Sequence, residues 1–260
     1  SRSFKADRLL EEKAAILTGG DTAILSPRER SLANKIREEW LSTEKKVLQP
    51  VSNWAFNEVP VSLSQNAVVF YPFSGPDFAF ANAIYPGADT YIMAGLEPAG
   101  DPADAFDPSH TGTRGHLLQL SRILYYSNRF GFFRTKDMAR QLRKIGVFNI
   151  LLFYIKNSGY DIGHMRLLNW DASRSDTVFR GNGSPDVCYI EFSNPTSDAV
   201  SHLFYFSRDL SDRSFRKDSS WLTWAESKAS GRSMLSLTKS ASYLMHGHSF
   251  ARVRDFMLTH

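Results

Sequence analysis

Only one cysteine, Cys188, stands among 260 residues, so no intrachain disulfide can form and no cysteine-based zinc site can be built. Cys188 sits in the apolar segment PDVCYIEF, two residues after Asp186, where a small core residue is expected rather than a nucleophile. No apolar run approaches the ~20 residues of a membrane-spanning helix, and no signal peptide is visible. A dense run of lysine and arginine is missing too. The basic residues are spread among acids, which argues against nucleic acid as a partner. Internal repeats and low-complexity tracts are absent.

What is present is an ordinary globular balance, 42% hydrophobic and 22% charged. The 19 Phe, 10 Tyr and 5 Trp predict a core or cleft rich in rings, packing being the commoner use of such residues. Charge is uneven. Residues 1–130 carry 13 Lys+Arg against 15 Asp+Glu, and residues 131–260 carry 18 against 12, so the C-terminal half could face phosphates or an anionic surface. The chain opens on Ser1 and stops at RDFMLTH inside an amphipathic run. The natural protein is therefore expected to extend beyond these ends, the C-terminal one in particular.

Along the chain, FKADRLLEEKAAIL has helical spacing and ends at Gly19-Gly20-Asp21. A second helix starts at Ser26, with Pro27 in its first position and Glu29 placed for a capping box. Leu32, Ile36 and Trp40 recur on one face of it. Residues 42–66, with Pro50 and Pro60, read as an irregular connection. AVVFYPFSG and DTYIMAGLEP then read as buried strands of a parallel sheet, with the short helix PDFAFANAIYP between them: a βαβ unit. Residues 99–112 form a long Pro/Gly/Asp loop. Helices follow from Thr113 to about Lys144, and VFNILLFYIKNSG fits a helix better than a strand because it is long and ends in a helix stop. HMRLLNW reads as a strand, DVCYIEFS and VSHLFYFS as a hairpin, and the remainder from about Asp218 as mostly helical, SMLSLTKSASYLMH included. The expected fold is α/β and Rossmann-like, with helices on both faces of the sheet and an antiparallel hairpin towards the C-terminus. Residues 1–60 form a helical segment packing on a main domain of residues 61–260.

The turn Phe73-Ser74-Gly75-Pro76-Asp77 follows a strand and opens a helix, where free backbone N–H groups favour an anion or polar ligand. Glu97 ends the next strand, 22 positions after Gly75. An acid at about that distance accepts hydrogen bonds from ribose hydroxyls in nucleotide-binding folds. The candidate small-molecule site is therefore Tyr71, Phe73, Ser74, Gly75, Asp77 and Glu97, covered by the 99–112 loop. Other groupings are weaker. Ser74 with Asp77 could serve hydrolysis, but G-x-S-x-G is absent and a turn or capping role is commoner. Asp101, Asp104, Asp107 and His110 share a loop without a metal-site spacing. His246 and His248 lack a third ligand, so no metal site is assigned. Arg114 and His116 could meet an anion or simply end a helix.

The segment YPFSGPD…YPGADTYIMAGLEP resembles motifs I and II of S-adenosylmethionine-dependent methyltransferases over about 31 residues. That resemblance implies S-adenosylmethionine as cofactor, Glu97 on its ribose, the Ser74–Asp77 turn on its methionine part, and a cytoplasmic location. The pattern departs in keeping one glycine, Gly75, of the usual three and in having Tyr71 where an acid is common. FYPFSGPDF, GLEP and KSASYLMH (Lys239 to His246) are also similar to an uncharacterised group of bacterial, mostly exported proteins. This second resemblance implies a shared fold, an extracytoplasmic location and no particular activity. It suggests an interaction protein whose contact surface is the aromatic, basic C-terminal half.

Overall fold

The computed structural model describes residues 4–64, 66–130, 135–178, 184–196, 199–239 and 246–260. Helix α1 (Arg8–Thr18) starts where the Asp7 carboxylate accepts from the N–H groups of Leu9 and Leu10. Helix α2 (Pro27–Thr43) starts with the expected capping box: Ser26 Oγ accepts from the Glu29 N–H, and the Glu29 carboxylate accepts from the Ser26 N–H. Ile36 and Trp40 are buried and Leu32 is half-buried, so the apolar stripe does face the core.

Residues 42–66 are not an irregular connection. The helix runs on through a π turn, Glu44–Leu48, into α3 (Gln49–Glu58), and a short α4 (Val61–Ser64) follows. The physical reason is local. Pro50 has no N–H with which to continue an α-helical ladder, and the wider turn just before it, with the Gln49 N–H donating to Glu44 O, absorbs the mismatch.

The βαβ unit is present. Strand β1 (Val68–Tyr71), α5 (Phe78–Ile84) and β2 (Thr90–Gly95) follow in order, and the two strands pair in parallel, Val68 opposite Thr90. The 99–112 loop is partly helical, with α6 (Pro102–Ala105) and the start of α7 (Thr111–Gly115). Then come α8 (Leu117–Phe130) and α9 (Thr135–Asn157). The latter breaks at Gly146, whose φ of 69° only glycine adopts cheaply. The apolar run VFNILLFYI is the second limb of α9, buried on all sides, which is why it shows no polar face.

Strands β3 (Asp161–Asp171), β4 (Asp176–Val178), β5 (Val187–Ser193) and β6 (Val200–Ser207) follow, β5 and β6 making the expected antiparallel hairpin. After α10 (Asp212–Phe215) and α11 (Ser220–Lys228) comes a departure. Met234–Ser236, expected in a helix, is strand β7, paired in parallel with β1. Its neighbour in space, not its own periodicity, selects the extended form. Residues 240–245 of the KSASYLMH segment lie outside the described residues. Helix α12 (Ala251–Thr259) closes the chain.

The sheet has seven strands in the order β4-β3-β5-β6-β2-β1-β7, mixed in direction and covered by helices on both faces. Its Rossmann-like half is β7, β1, β2 and β6, all parallel. Beyond β6 the sheet turns antiparallel through β5, β3 and β4. Alternation divides the strands between two cores. Val69, Tyr71, Tyr91 and Met93 face α1, α2, α5, α8 and α9. Val68, Phe70, Ile92 and Ala94 face α10, α11 and α12, where Trp221 is fully buried between Phe70 and Phe206. The N-terminal helices thus belong to the first of these cores, which they share with α5, α8 and α9. No helix among the described residues is long and apolar enough to cross a membrane.

Candidate functional site

At two pairs of neighbouring parallel strands, the helices next described along the chain lie on opposite faces of the sheet. From β1 the chain leaves into α5 on the first face; past β7, Leu237 joins that same core and Lys239 reaches Asp77, and the next helix described, α12, lies on the second face. From β2 it leaves towards α6–α9 on the first face, while from β6 it leaves into α10 and α11 on the second. Open α/β sheets hold ligands outside the carboxyl ends of strands at such partings. Each of the two carries one of the acids singled out in the sequence.

At the β1/β7 parting stands Asp77. It occupies the N-cap position of α5, yet its carboxylate makes no capping bond. Its Oδ2 instead receives Lys239 Nζ at 2.8 Å and the Tyr71 hydroxyl at 3.3 Å. The ammonium also lies 4.1 Å from the centre of the Phe80 ring. Side-chain exposure is 12% for Asp77 and 21% for Lys239, so the pair is largely withdrawn from water but still touched by it. Burial, and then the Asp77 charge, push the Tyr71 hydroxyl far above its ordinary pKa and keep it a donor.

At the β2/β6 parting stands Glu97, 2% exposed. The Tyr205 hydroxyl lies 2.9 Å from its Oε2 and 3.1 Å from its main-chain oxygen. Burial first, and Glu97 second, raise the Tyr205 hydroxyl well above its ordinary pKa. Close backbone approach makes this end tight. A Cβ on Gly95 would stand 2.2 Å from Glu97 Oε2 and 3.0 Å from Gly75 Cα, so two glycines let the β1 turn and the end of β2 touch.

The turn between the two acids is used internally. The Ser74 N–H donates to Ala94 O at 2.9 Å, extending the β1–β2 pairing, and Ser74 Oγ donates to Gly75 O at 2.7 Å. Among the described residues Ser74 Oγ is bonded to main-chain oxygens only, not to a base that could activate it. Phe73 holds a left-handed conformation, φ 57°, with its ring edge-on to Phe250 at 5.4 Å. A non-glycine residue there costs on the order of 1–3 kcal/mol. The structure therefore brings Tyr71, Phe73, Ser74, Gly75 and Asp77 together, and places Glu97 beside them with its carboxylate turned into the protein. Lys239 and Tyr205 are additions. Lys239 was visible within the KSASYLMH motif, but its partner 162 positions away was not. Tyr205 had no signal beyond its place in an alternating strand.

The 99–116 loop docks on α1. Lys13, fully buried, donates to Asp104 O at 2.7 Å, and its pKa is lowered by that burial. His116 Nε2 lies 3.2 Å from Asp104 Oδ2, and Asn149 Nδ2 lies 3.2 Å from His116 Nδ1. His110 pairs with Glu12, and Asp107 binds Ser109, whose hydrogen bonds pull that carboxyl down to about 2. Asp101 caps α6 by accepting from the Ala103 N–H, and Arg114 reaches Ile24 O. Apart from the buried His110 Nδ1, which has no hydrogen-bond partner, these loop polar groups are spent on holding the loop. Among the described residues no group of three His, Cys, Asp or Glu side chains gathers as a metal site, and His246 and His248 are exposed. Cys188 is buried, its thiol pushed up by burial. The C-terminal rings are mostly interior. The large apolar residues left most open among the described ones include Trp54 and Phe56 of α3, on the helical layer.

Compared with family models, curated proteins and solved structures, the chain matches none.

Proposed function

We propose that the chain is a small-ligand-binding α/β domain whose ligand sits at the carboxyl ends of β1 and β7, on Asp77, Lys239 and Tyr71. The observation that supports this is the largely buried ion pair made by a helix N-cap residue that forgoes capping. Withdrawing two charges from water costs several kcal/mol, and an ion pair so placed stabilises a fold poorly compared with apolar packing. Both bonds to Asp77 use Oδ2. Its Oδ1 can accept from a ligand hydroxyl or amine, while an anionic ligand group can share the Lys239 ammonium.

The S-adenosylmethionine reading asks more of the molecule. Glu97 would have to leave Tyr205 and emerge past Gly75 and Gly95 before it could hold a ribose. The Asp77 reading requires no such rearrangement, so it is preferred.

A thermal-shift screen of polar metabolites, with S-adenosylmethionine and S-adenosylhomocysteine among them, tests both. The expected result is a ligand that raises the melting temperature of the wild type and has no effect on Lys239→Met or Asp77→Asn. A shift produced by S-adenosylmethionine and abolished in Glu97→Ala, but retained in Lys239→Met, would favour the methyltransferase-like site instead. Ligand shifts indifferent to Lys239 and Asp77 sink the proposal.

A further inference from the structure

The second face of the sheet is covered by helices only over part of its breadth. Away from the strand ends, towards the start of β6, the residues of β3, β5 and β6 that point to this face are mostly polar or aromatic and line an open groove of about 970 Å³. The rows follow from register. His164, Glu191 and His202 are successive cross-strand neighbours, and Arg166, Tyr189 and Phe204 form the next row. One-residue alternation puts all six on the same face.

Rings form one wall. Tyr189 and His202 lie nearly parallel, 14° apart with centroids at 6.0 Å, and the Tyr189 hydroxyl bonds His202 Nδ1 at 2.9 Å. Tyr189 also leans on Phe204, centroids 4.8 Å apart. Burial pushes the Tyr189 hydroxyl up to about 12, so it stays protonated.

Cations flank these rings, Arg166 from β3 on one side of Tyr189 and Lys228 from α11 over Phe204 on the other. Lys228 lies 4.8 Å from the Trp224 ring centre, and Arg166 donates through Nε to His164 Nε2 at 2.7 Å. Neither has a carboxylate partner among the described residues. Arg232 is already paired with Asp89, which leaves Glu191 as the carboxylate facing these cations. A groove of this size holds a drug-sized molecule, and its charge and rings specify which kind.

We infer that this groove is a second ligand site, distinct from the strand ends, that takes a mononucleotide: a flat base stacked on the Tyr189–His202 wall and a phosphate held by Arg166 and Lys228. Arg166 keeps its terminal guanidinium nitrogens for the phosphate. Glu191 accepts from a ribose hydroxyl or a base amine. Stacking is tolerant of base identity, so all four common bases fit to a similar degree.

Isothermal titration calorimetry with AMP, GMP, CMP and UMP, and separately with adenosine and inorganic phosphate, tests this. All four mononucleotides bind with similar affinity, and adenosine and phosphate alone bind at least about tenfold more weakly. Arg166→Gln, Lys228→Gln and Tyr189→Leu each weaken the mononucleotide about tenfold or more, with circular dichroism spectra like the wild type. Absence of heat from all four nucleotides at about 1 mM, the weak end of specific binding, overturns the inference. So does phosphate binding as tightly as the nucleotides. If Lys239→Met abolishes nucleotide binding while Arg166→Gln leaves it intact, the nucleotide occupies the strand ends and the groove is not its site.

Discussion

Asp77 and Glu97 stand at the two partings of one sheet, each hydrogen-bonded to a tyrosine on the first face, and they differ in what surrounds them. Glu97 is sealed. Gly75 and Gly95 touch in front of it, and it is 2% exposed. Asp77 is paired with a lysine from the far end of the chain, and the pair keeps some contact with water. A sealed carboxylate with fixed donors reads as part of the packing. A charged pair at the edge of water can exchange one partner for a ligand. The same carboxylate group at the same kind of topological position thus does different work, and close backbone approach decides which.

Substitutions can break or sharpen this contrast. The largest effect is expected from Gly95→Ala. Its Cβ would meet Glu97 Oε2 at 2.2 Å and the Tyr205 hydroxyl at 2.9 Å, with Gly75 backbone behind. A loss of about 3 kcal/mol is expected from urea denaturation midpoints. A midpoint equal to wild type would mean that the β2/β6 end is loose and the contrast unfounded.

Lys239→Met should cost about 2 kcal/mol, less than the ~3–5 of a fully buried pair broken on one side. The charge-neutral double variant Asp77→Asn/Lys239→Met should recover most of that loss. Failure to recover would mean that Lys239 matters for packing and not for its charge.

Tyr205→Phe leaves Glu97 short of a donor where water is excluded, and a loss of about 1–2 kcal/mol is expected. Tyr71→Phe, beside the better hydrated Asp77, should lose less. Equal losses would erase the difference between the two partings.

Acid unfolding probes a third, purely structural carboxylate. Burial pushes Asp218 upward, but bonds from Ser220, Arg208 and Trp170 outweigh it and hold the group at about 2, against an ordinary 3.8. Its folded-state pKa is depressed, so its contribution is complete above the ordinary value and lost as pH falls through that window. Asp218→Asn should flatten the stability-versus-pH curve there and leave its slope near neutrality unchanged. His116 acts higher. Burial lowers its pKa despite Asp104, so stability should begin to fall as pH drops below the ordinary 6.5. A curve flat from neutrality to below 5, roughly where an unpaired His would already be charged, would contradict that burial.

The smallest effects belong to the groove. Arg166→Gln and Lys228→Gln should change stability by no more than about 0.5 kcal/mol, as surface substitutions do. A larger loss would show that these cations hold the fold instead of standing ready for a ligand.

Much of this was legible beforehand because it is local. The capping box at Ser26, the βαβ unit and the β5–β6 hairpin are written in neighbouring residues, and the structure has all three. The helix across Pro50 was not legible, because proline reads as a breaker and the π turn that accommodates it leaves no mark in composition. Strand β7 was missed because three residues carry no periodicity of their own; β1 supplies the hydrogen bonds that make them a strand. The candidate site was half legible. Tyr71, Phe73, Ser74, Gly75 and Asp77 are consecutive or nearly so and must lie together, whereas Tyr205 is on β6 and Lys239 just past β7, strands whose order no local pattern states.

By itself, the sequence determined that this is an α/β protein with a βαβ unit between Val68 and Gly95, two acids at strand ends and no intrachain disulfide. Only the tertiary structure decided that β6 and β7, far along the chain, flank that unit. It also decided that Glu97 turns inward to Tyr205 while Asp77 meets Lys239. Hydrogen bonding within a few residues is set by residue type and spacing. Which distant strand fills the place beside β1, and so which side chain faces each acid, is set by burying two apolar faces at once, a condition that no single segment carries.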